Sequence, residues 1–234
     1  MFSNIFSSEV FQETWYIIKS QFLLSIWETL YVTFLSTFFA FVIGLPLGIF
    51  LVVGEENNIL PVPKWILRVL NLIINILRSI PFLILMILVF PITRFLMGTV
   101  VGTKATIVPL VIAAFPFVAR LVESSIREIN PNTIEMAQSL GASPLQIIFK
   151  VMIPESVPSL ISNATIAITT VLGYTAMSGI LGGGGLGKIA INYGYYRYKT
   201  LVMILAVLLL ILIVQLLQSL GTTLATKANK RLKK

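Results

Sequence analysis

The chain has 234 residues, of which 57% are hydrophobic and only 11% are charged, whereas soluble domains average about 25% charged residues. It carries a net charge of +8, contains no Cys and no His, and its nine acidic residues are all Glu. These absences exclude disulfides, His or Cys metal sites, and nucleophilic triads that need His or Asp. We therefore expect a membrane protein that is not an enzyme, with no catalytic residues, metal or bound cofactor of its own.

The N-terminal segment, residues 1–24, is predicted to lie outside the membrane. Its first 20 residues include Glu9 and Glu13, and they lack the basic start and short apolar core of a signal peptide. We interpret them as an extracytoplasmic segment. An amphipathic helix lying on the outer membrane surface is one form that it could take.

Five long apolar runs follow, and each is long enough to cross the hydrocarbon layer as a helix, which takes about 20 residues. The runs are 29–54, 65–93, 100–122, 156–187 and 202–226. They are apolar on all sides, whereas a barrel strand alternates apolar and polar residues. The sequence thus predicts an all-α polytopic membrane domain with five transmembrane helices over residues 25–226.

Positive charges orient these predicted spans. The tail, residues 227–234, carries five Lys and Arg, which places it in the cytoplasm by the positive-inside rule. An odd number of spans then puts the N-terminus outside. With this topology, ten of the 17 Lys and Arg lie in cytoplasmic segments, six lie in external segments, and Arg78 lies within a span.

The longest cytoplasmic connection, residues 123–155, is predicted to contain two short helices. Asn130 and Ser143 are good N-caps, each followed by a proline at the first helical position, Pro131 and Pro144. Gly141 supplies the left-handed residue that ends the first helix. Gln146 completes a capping box with Ser143, and Pro154 is predicted to end the second helix. The apolar positions at helical spacing are Ile134, Ala137, Leu140, Leu145, Ile148, Phe149 and Met152.

Taken alone, such a helix pair could be a connector lying in the membrane interface. However, Glu135, Ala137, Gly141 and Pro154 resemble the loop of ABC importer permeases, whose pattern is Glu-Ala-Ala, three residues, Gly, nine residues, Ile-x-Leu-Pro. Met136 replaces the first Ala, and Val151 and Ile153 replace Ile and Leu, and all three positions keep an apolar side chain. The resemblance implies the fold of a type I ABC importer permease, in which this loop docks into a groove of the ATP-hydrolysing subunit.

The resemblance continues over residues 25–226 and is closest to the permeases that import methionine in bacteria. It rests on residues 78–82 (RSIPF), 116–120 (PFVAR), 173–177 (GYTAM), 182–187 (GGGGLG) and 193–195 (YGY). It implies a homodimer in the cytoplasmic membrane around a central pathway. It further implies two ATPase chains, which hold ATP and Mg, and an external methionine-binding lipoprotein.

The glycine segment, residues 182–187, followed by Lys188, comes close to the phosphate-binding pattern Gly-x4-Gly-Lys. Ile189 stands where that pattern needs a magnesium-binding Ser or Thr, and the chain has no Asp to serve as the second partner. We therefore interpret these glycines as positions of close backbone packing. By the resemblance, Gly184 and Gly185, with Tyr174 and Met177, belong to the substrate pathway or outer gate.

Arg78 has two interpretations. A guanidinium deep in a span could hold the carboxylate of an amino-acid substrate in a fork. Alternatively, Arg78 is structural, bonding to carbonyls of the next helix or extending toward an interface.

The function predicted from these observations is the permease subunit of an ATP-driven importer for an amino acid, methionine in particular. Its predicted partners are an ATPase, a binding lipoprotein, a second copy of itself and membrane lipid, with no nucleic acid. The same machine carrying another amino acid or a short peptide is the nearest alternative. A passive channel or a membrane scaffold is the alternative from a different class.

Overall fold

The computed structural model describes residues 8–56 and 58–229, and all regular structure in these ranges is helical. This confirms the all-α fold predicted from the sequence. The α-helices of the described ranges are α1 (Ser8–Ile17), α2 (Leu23–Val53), α3 (Lys64–Ser79), α4 (Phe82–Leu88), α5 (Phe90–Met97), α6 (Ile107–Arg127), α7 (Pro131–Ser139), α8 (Pro144–Ile147), α9 (Ile153–Ser178), α10 (Gly185–Ile189) and α11 (Thr200–Ala228).

Helix α1 continues through a π-helical stretch, Ile18–Phe22, into α2. The boundary predicted at residue 24 therefore falls inside an uninterrupted helix. Residues 1–7, and the tail from residue 230 onward, lie outside the described residues. A separate role for residues 1–24 or for the basic tail stays a prediction.

Four helical stretches of the described chain are long and apolar enough to cross a membrane, namely Thr14–Val53, Ile107–Arg127, Pro144–Leu181 and Thr200–Ala228. Helices α3 and α4 meet this criterion only as a bent pair, so five spans result when the pair counts as one. The single helix predicted over residues 65–93 is wrong. Ile80 is extended, with φ −82° and ψ 126°, because the following Pro81 disfavours helical geometry at residue 80.

The third predicted span begins later than the sequence indicates, at Ile107 and not at Val100. Residues 100–106 form turns, in which Gly102 has a φ of +107°. The Gly102 N–H donates to the carbonyl of Gly182 at 2.9 Å. The sequence assigned this short stretch to a membrane helix, but in the structure it connects α5 to α6.

The chain groups into two compact units. Unit 1 comprises residues 1–37, 81–112 and 168–217, and unit 2 comprises 38–80, 113–167 and 218–234. The core cluster of unit 1 consists of Ile17, Phe22, Leu172, Leu186, Ile189, Val202, Ala206 and Ile213.

In unit 2, Leu51 of α2, Ile74 of α3 and Ala119 of α6 form a buried cluster. Helices α2 and α6 approach closely here, because a Cβ added at Gly48 would lie 2.5 Å from the carbonyl oxygen of Ala119. Small residues of this kind allow close packing between membrane helices, where no hydrophobic force drives helices together.

Candidate functional site

Helix α7 begins and ends as its sequence predicts. The Asn130 side chain accepts a hydrogen bond from the Asn132 N–H at 3.0 Å, and Pro131 occupies the first turn. At the other end Gly141 has a φ of +77°. Its N–H donates to the carbonyl of Gln138 at 2.9 Å, and the Ala142 N–H donates to that of Ala137 at 3.1 Å. This pair of bonds is the Schellman arrangement, so α7 ends at a defined residue.

The second helix of the loop starts with the predicted capping box. The Ser143 N–H donates to Gln146 Oε1 at 2.9 Å, and the Gln146 N–H donates to Ser143 Oγ at 3.4 Å. The predicted end at Pro154 is wrong, because α8 passes through a π-helical stretch, Ile148–Met152, into α9. The Ile153 N–H bonds back to the Ile148 carbonyl. A local π-helical turn of this kind rearranges the backbone bonds near the proline, so the helix continues.

The loop has an inward and an outward apolar face. Ala137, Ile147, Ile148 and Met152 are buried. A second set of apolar side chains is exposed by 60 to 81%, and we call it the coupling patch: Met136, Leu140, Leu145 and Phe149. The apolar positions that the sequence puts on one stripe thus divide between the two faces. Exposed apolar patches of this kind occur at contacts with other proteins or with membrane lipid.

Charged residues join the base of this loop to the turn that follows α2. Arg127 lies 2.6 Å from a carboxylate oxygen of Glu55 and 2.9 Å from one of Glu123. Glu123 also pairs with Arg120 at 2.6 Å. A cavity of about 510 Å³ beside this network is lined by Arg127, Ile134, Glu135 and Gln138, among others.

Sequence reasoning missed this ionic network. The i, i+4 spacing of Glu123 and Arg127 could have indicated part of it. Nothing local points to Glu55, which lies 72 residues from Arg127 along the chain.

In unit 1, the glycine segment is held by side chains from distant parts of the chain. Glu28 on α2 accepts hydrogen bonds from the Gly185 N–H and from the Thr103 hydroxyl, both at 2.8 Å. The Leu186 N–H donates to Thr29 Oγ1 at 2.9 Å. We call Glu28 with its two donors the carboxylate clasp. Sequence reasoning missed Glu28, although a single acid in an apolar membrane helix is a functional signal.

Backbone geometry and close neighbours, including the clasp, explain the glycines of this segment. Gly182 and Gly185 have φ values of +87° and +82°, a region that other residues rarely adopt. A Cβ at Gly184 would overlap Thr103 Oγ1 and lie 2.5 Å from Glu28 Oε2. The Gly185 amide, which a phosphate-binding loop would offer to its ligand, already donates to a carboxylate. The Gly185 N–H is therefore not free to bind a phosphate in this structure, and the absence of nucleotide binding stays a prediction.

The remaining candidates lie on both units. Tyr174 stacks on Phe82 with ring centroids 4.6 Å apart, and Met177, one turn further along α9, is 48% exposed. These residues belong to unit 1 with Gly184 and Gly185, whereas Arg78 belongs to unit 2. Arg78 is exposed in the last turn of α3 and forms no hydrogen bond or ion pair with the described residues.

Helices of this length and apolarity define a polytopic membrane protein. Residues 44–225 match the family described as binding-protein-dependent transport system inner membrane component. The chain therefore belongs to this family of inner-membrane permeases.

Several relatives resemble the chain over most of its length. It is 43% identical over 219 residues to the probable D-methionine transport system permease protein MetI of Vibrio cholerae, covering 93% of this chain and 96% of that protein. It is 46% identical over 205 residues to the corresponding protein of Haemophilus influenzae, covering 88% and 96%. A chain from an inward-facing structure of the MetNI methionine ABC transporter superposes with a TM-score of 0.89 at 42% identity, covering 91% of this chain and 98% of that one.

Proposed function

We propose that the chain is the permease subunit of an ATP-driven importer that moves methionine across the bacterial cytoplasmic membrane. The observation that carries this proposal is the similarity, at 42 to 46% identity and over nearly the full length, to permeases of methionine transporters. The chain supplies the pathway, and a separate ATPase subunit binds ATP and Mg and hydrolyses the ATP.

The coupling patch is the surface that we assign to the ATPase. Its four side chains are apolar and exposed, and the patch lies on helices whose starts are fixed by side-chain caps. Because the capped turns hold their geometry, a rigid-body motion of the ATPase would be transmitted to α9 and not absorbed in the loop. Residues Ile134 to Pro154 thus form the coupling element, and Glu135 faces the cavity beside Arg127.

We assign the glycine segment, with Tyr174 and Met177, to the outer gate. The clasp fixes the backbone at Gly185, and Met177 exposes a flexible side chain from α9. Met side chains adapt to apolar ligands such as a thioether. With the N-terminus outside, this region faces the external binding lipoprotein. The complete importer contains two copies of the chain around one pathway.

The primary test is uptake of radiolabelled methionine by cells that lack their own transporter and express this chain with its ATPase and binding protein. Leu140→Glu and Phe149→Glu place a charge in the coupling patch and should abolish uptake and ATPase co-purification. Gln138→Glu is the matched control, since it adds a carboxylate on the opposite side of α7. It should retain ATPase binding.

The outcomes separate the parts of the proposal. Uptake that the patch substitutions abolish supports an ATP-driven methionine importer. An assembled complex that transports a different amino acid or a short peptide would overturn the substrate alone. Failure of the chain to bind any ATPase would overturn the importer assignment and favour a passive channel or a scaffold.

A further inference from the structure

Helix α3 carries its basic and amide side chains on one narrow face. These are Lys64, Arg68, Asn71, Asn75 and Arg78, at successive spacings of four, three, four and three residues. At about 100° per residue, all five fall within an arc of about 80°. We call them the polar stripe. At a rise of 1.5 Å per residue the stripe is about 21 Å long, against a hydrocarbon layer of about 30 Å.

The other two faces of α3 are apolar, and one suits the protein core while the other suits lipid. On one face Ile74, with Leu67 and Leu70, packs into the core of unit 2. On the other face apolar side chains, Leu72 and Ile76 among them, are exposed by 46 to 65%, as suits contact with lipid. The polar stripe lies between these faces and belongs to neither. Its exposed members cannot face hydrocarbon without a large desolvation cost.

A second helix adds to the stripe. Arg120 of α6 donates to Asn75 Oδ1 at 3.0 Å, while its other terminal nitrogen pairs with Glu123 at 2.6 Å. Arg68 and Arg78 are exposed, and neither pairs with a carboxylate among residues 8–56 and 58–229. The stripe therefore presents uncompensated positive charge.

Extension of side chains toward the membrane interface does not explain the arrangement. Lys64, at the start of α3, can reach the interface and pairs with Glu56 at 2.5 Å. Asn71 and Asn75 are too short for this. The Asn71 amide is partly satisfied by the Leu67 carbonyl at 2.8 Å, and Asn75 by Arg120. Their remaining bonding groups need water or a polar ligand.

We propose that the polar stripe lines a water-filled part of the translocation pathway, where its guanidinium groups attract the carboxylate of the zwitterionic substrate. The inference rests on the proposed function, since it supposes an amino-acid permease, and it extends the site from Arg78 to the whole length of α3. The charge favours passage of a carboxylate without binding it tightly, because the contacts are spread along the helix and exposed to water.

The chain has no native Cys, so single cysteines can report where water reaches α3. The experiment uses the complete transporter in inside-out vesicles, with Asn71→Cys and Asn75→Cys compared with Leu72→Cys and Ile76→Cys, each one residue further along the helix. The rate of modification by charged, membrane-impermeant methanethiosulfonates is measured. The thiolate is the reactive form, and a charged reagent reaches it only through water, so we expect at least about a tenfold faster reaction at the two Asn positions.

The charge of the stripe gives a second readout. At Asn75→Cys, the ratio of the modification rate with the anionic reagent to that with the cationic reagent should be higher than for a free thiol in solution. Adding Arg78→Gln should lower this ratio. Equal rates at all four positions, or no reagent preference, would overturn the proposal. If the labelling pattern holds while the parent complex takes up no methionine, the aqueous stripe stands and the proposed substrate fails. If methionine uptake is normal and the labelling pattern is absent, the proposed function stands and the proposal that the polar stripe lines the pathway is overturned.

Discussion

The coupling loop and the glycine segment are both defined turns, but they are stabilised over different distances along the chain. In the loop, the bonds that fix the turn join residues three to five apart, such as Gly141 with Gln138 and Ser143 with Gln146. In the glycine segment, Gly185 and Leu186 bond to Glu28 and Thr29, 157 residues away. The first is a local structure, and the second exists only in the folded unit.

This difference predicts how each region responds to substitution. A change at an exposed turn position of the coupling loop alters a local turn and leaves the packing around it intact. A change in the glycine segment meets atoms of other helices that cannot move freely. We therefore expect the largest effects at the glycines whose neighbours are backbone atoms, and the smallest at the exposed ion pairs near the loop.

The largest effect should come from Gly187→Ala. The added methyl would overlap the carbonyl oxygen of Ala176 and lie 2.5 Å from its Cα. Since these are backbone atoms, relief requires a shift of α9, and overpacking of this kind costs about 1–3 kcal/mol or more. The purified transporter should melt several degrees lower, and uptake should fall with it.

Gly173→Ala is the matched control, because the added methyl would meet nothing within 4 Å. An alanine in a helix interior is favoured over glycine by about 0.8–1 kcal/mol. This variant should melt at or slightly above the parent temperature. Equal melting temperatures for the two variants would contradict the close approach of Gly187 to Ala176.

The next largest effect should come from the carboxylate clasp. Glu28→Ala leaves the Gly185 N–H and the Thr103 hydroxyl without their acceptor, and hydrogen bonds to a charged group contribute about 1.5–3 kcal/mol. Glu28→Gln keeps one acceptor oxygen and should cost less. Uptake and melting temperature should follow the order parent, Gln, Ala.

Thr103→Ser and Thr103→Val test the same clasp from its other side. Ser retains the hydroxyl that donates to Glu28 at 2.8 Å and should behave as the parent chain does. Val keeps the shape but removes the donor, so it should lower the melting temperature. If Ser and Val behave alike, the hydroxyl does not contribute to the clasp.

The same contrast explains what could be predicted from the sequence. Asn130, Gly141 and the Ser143–Gln146 box act on neighbouring residues, so their sequence positions define the structure that forms. The role of Glu28 could not be predicted, because its partners lie 75 and 157 residues away. The end predicted at Pro154 failed for a different reason, since a local π-helical turn at Ile148–Met152 carries the helix past the proline.

A smaller and local effect is expected at Gly141. No atom lies within 4 Å of an added Cβ, so only its φ of +77° opposes substitution. Asn tolerates this left-handed geometry, whereas a β-branched residue does not, with a cost of about 1–2 kcal/mol. Gly141→Asn should retain ATPase binding and uptake, and Gly141→Val should weaken both. Equal loss in the two variants would show that the side chain, and not the turn, is at fault.

The smallest effect is expected for the ion pair between Glu55 and Arg127. Their side chains are 44% and 45% exposed, so water screens the charges, and exposed pairs typically contribute about 0.2–1 kcal/mol. A double-mutant cycle with Glu55→Gln and Arg127→Gln isolates this pair, because the contact of Arg127 with Glu123 cancels in the cycle. The pair between Lys64 and Glu56, exposed by 63% and 65%, is the control and should couple more weakly.

A coupling energy for Glu55–Arg127 that rises when the ATPase is bound would mean that the partner covers the pair, since an ion pair strengthens as water is removed. That result would extend the proposed ATPase contact from the coupling patch to the turn after α2. An unchanged value would confine the contact to the loop.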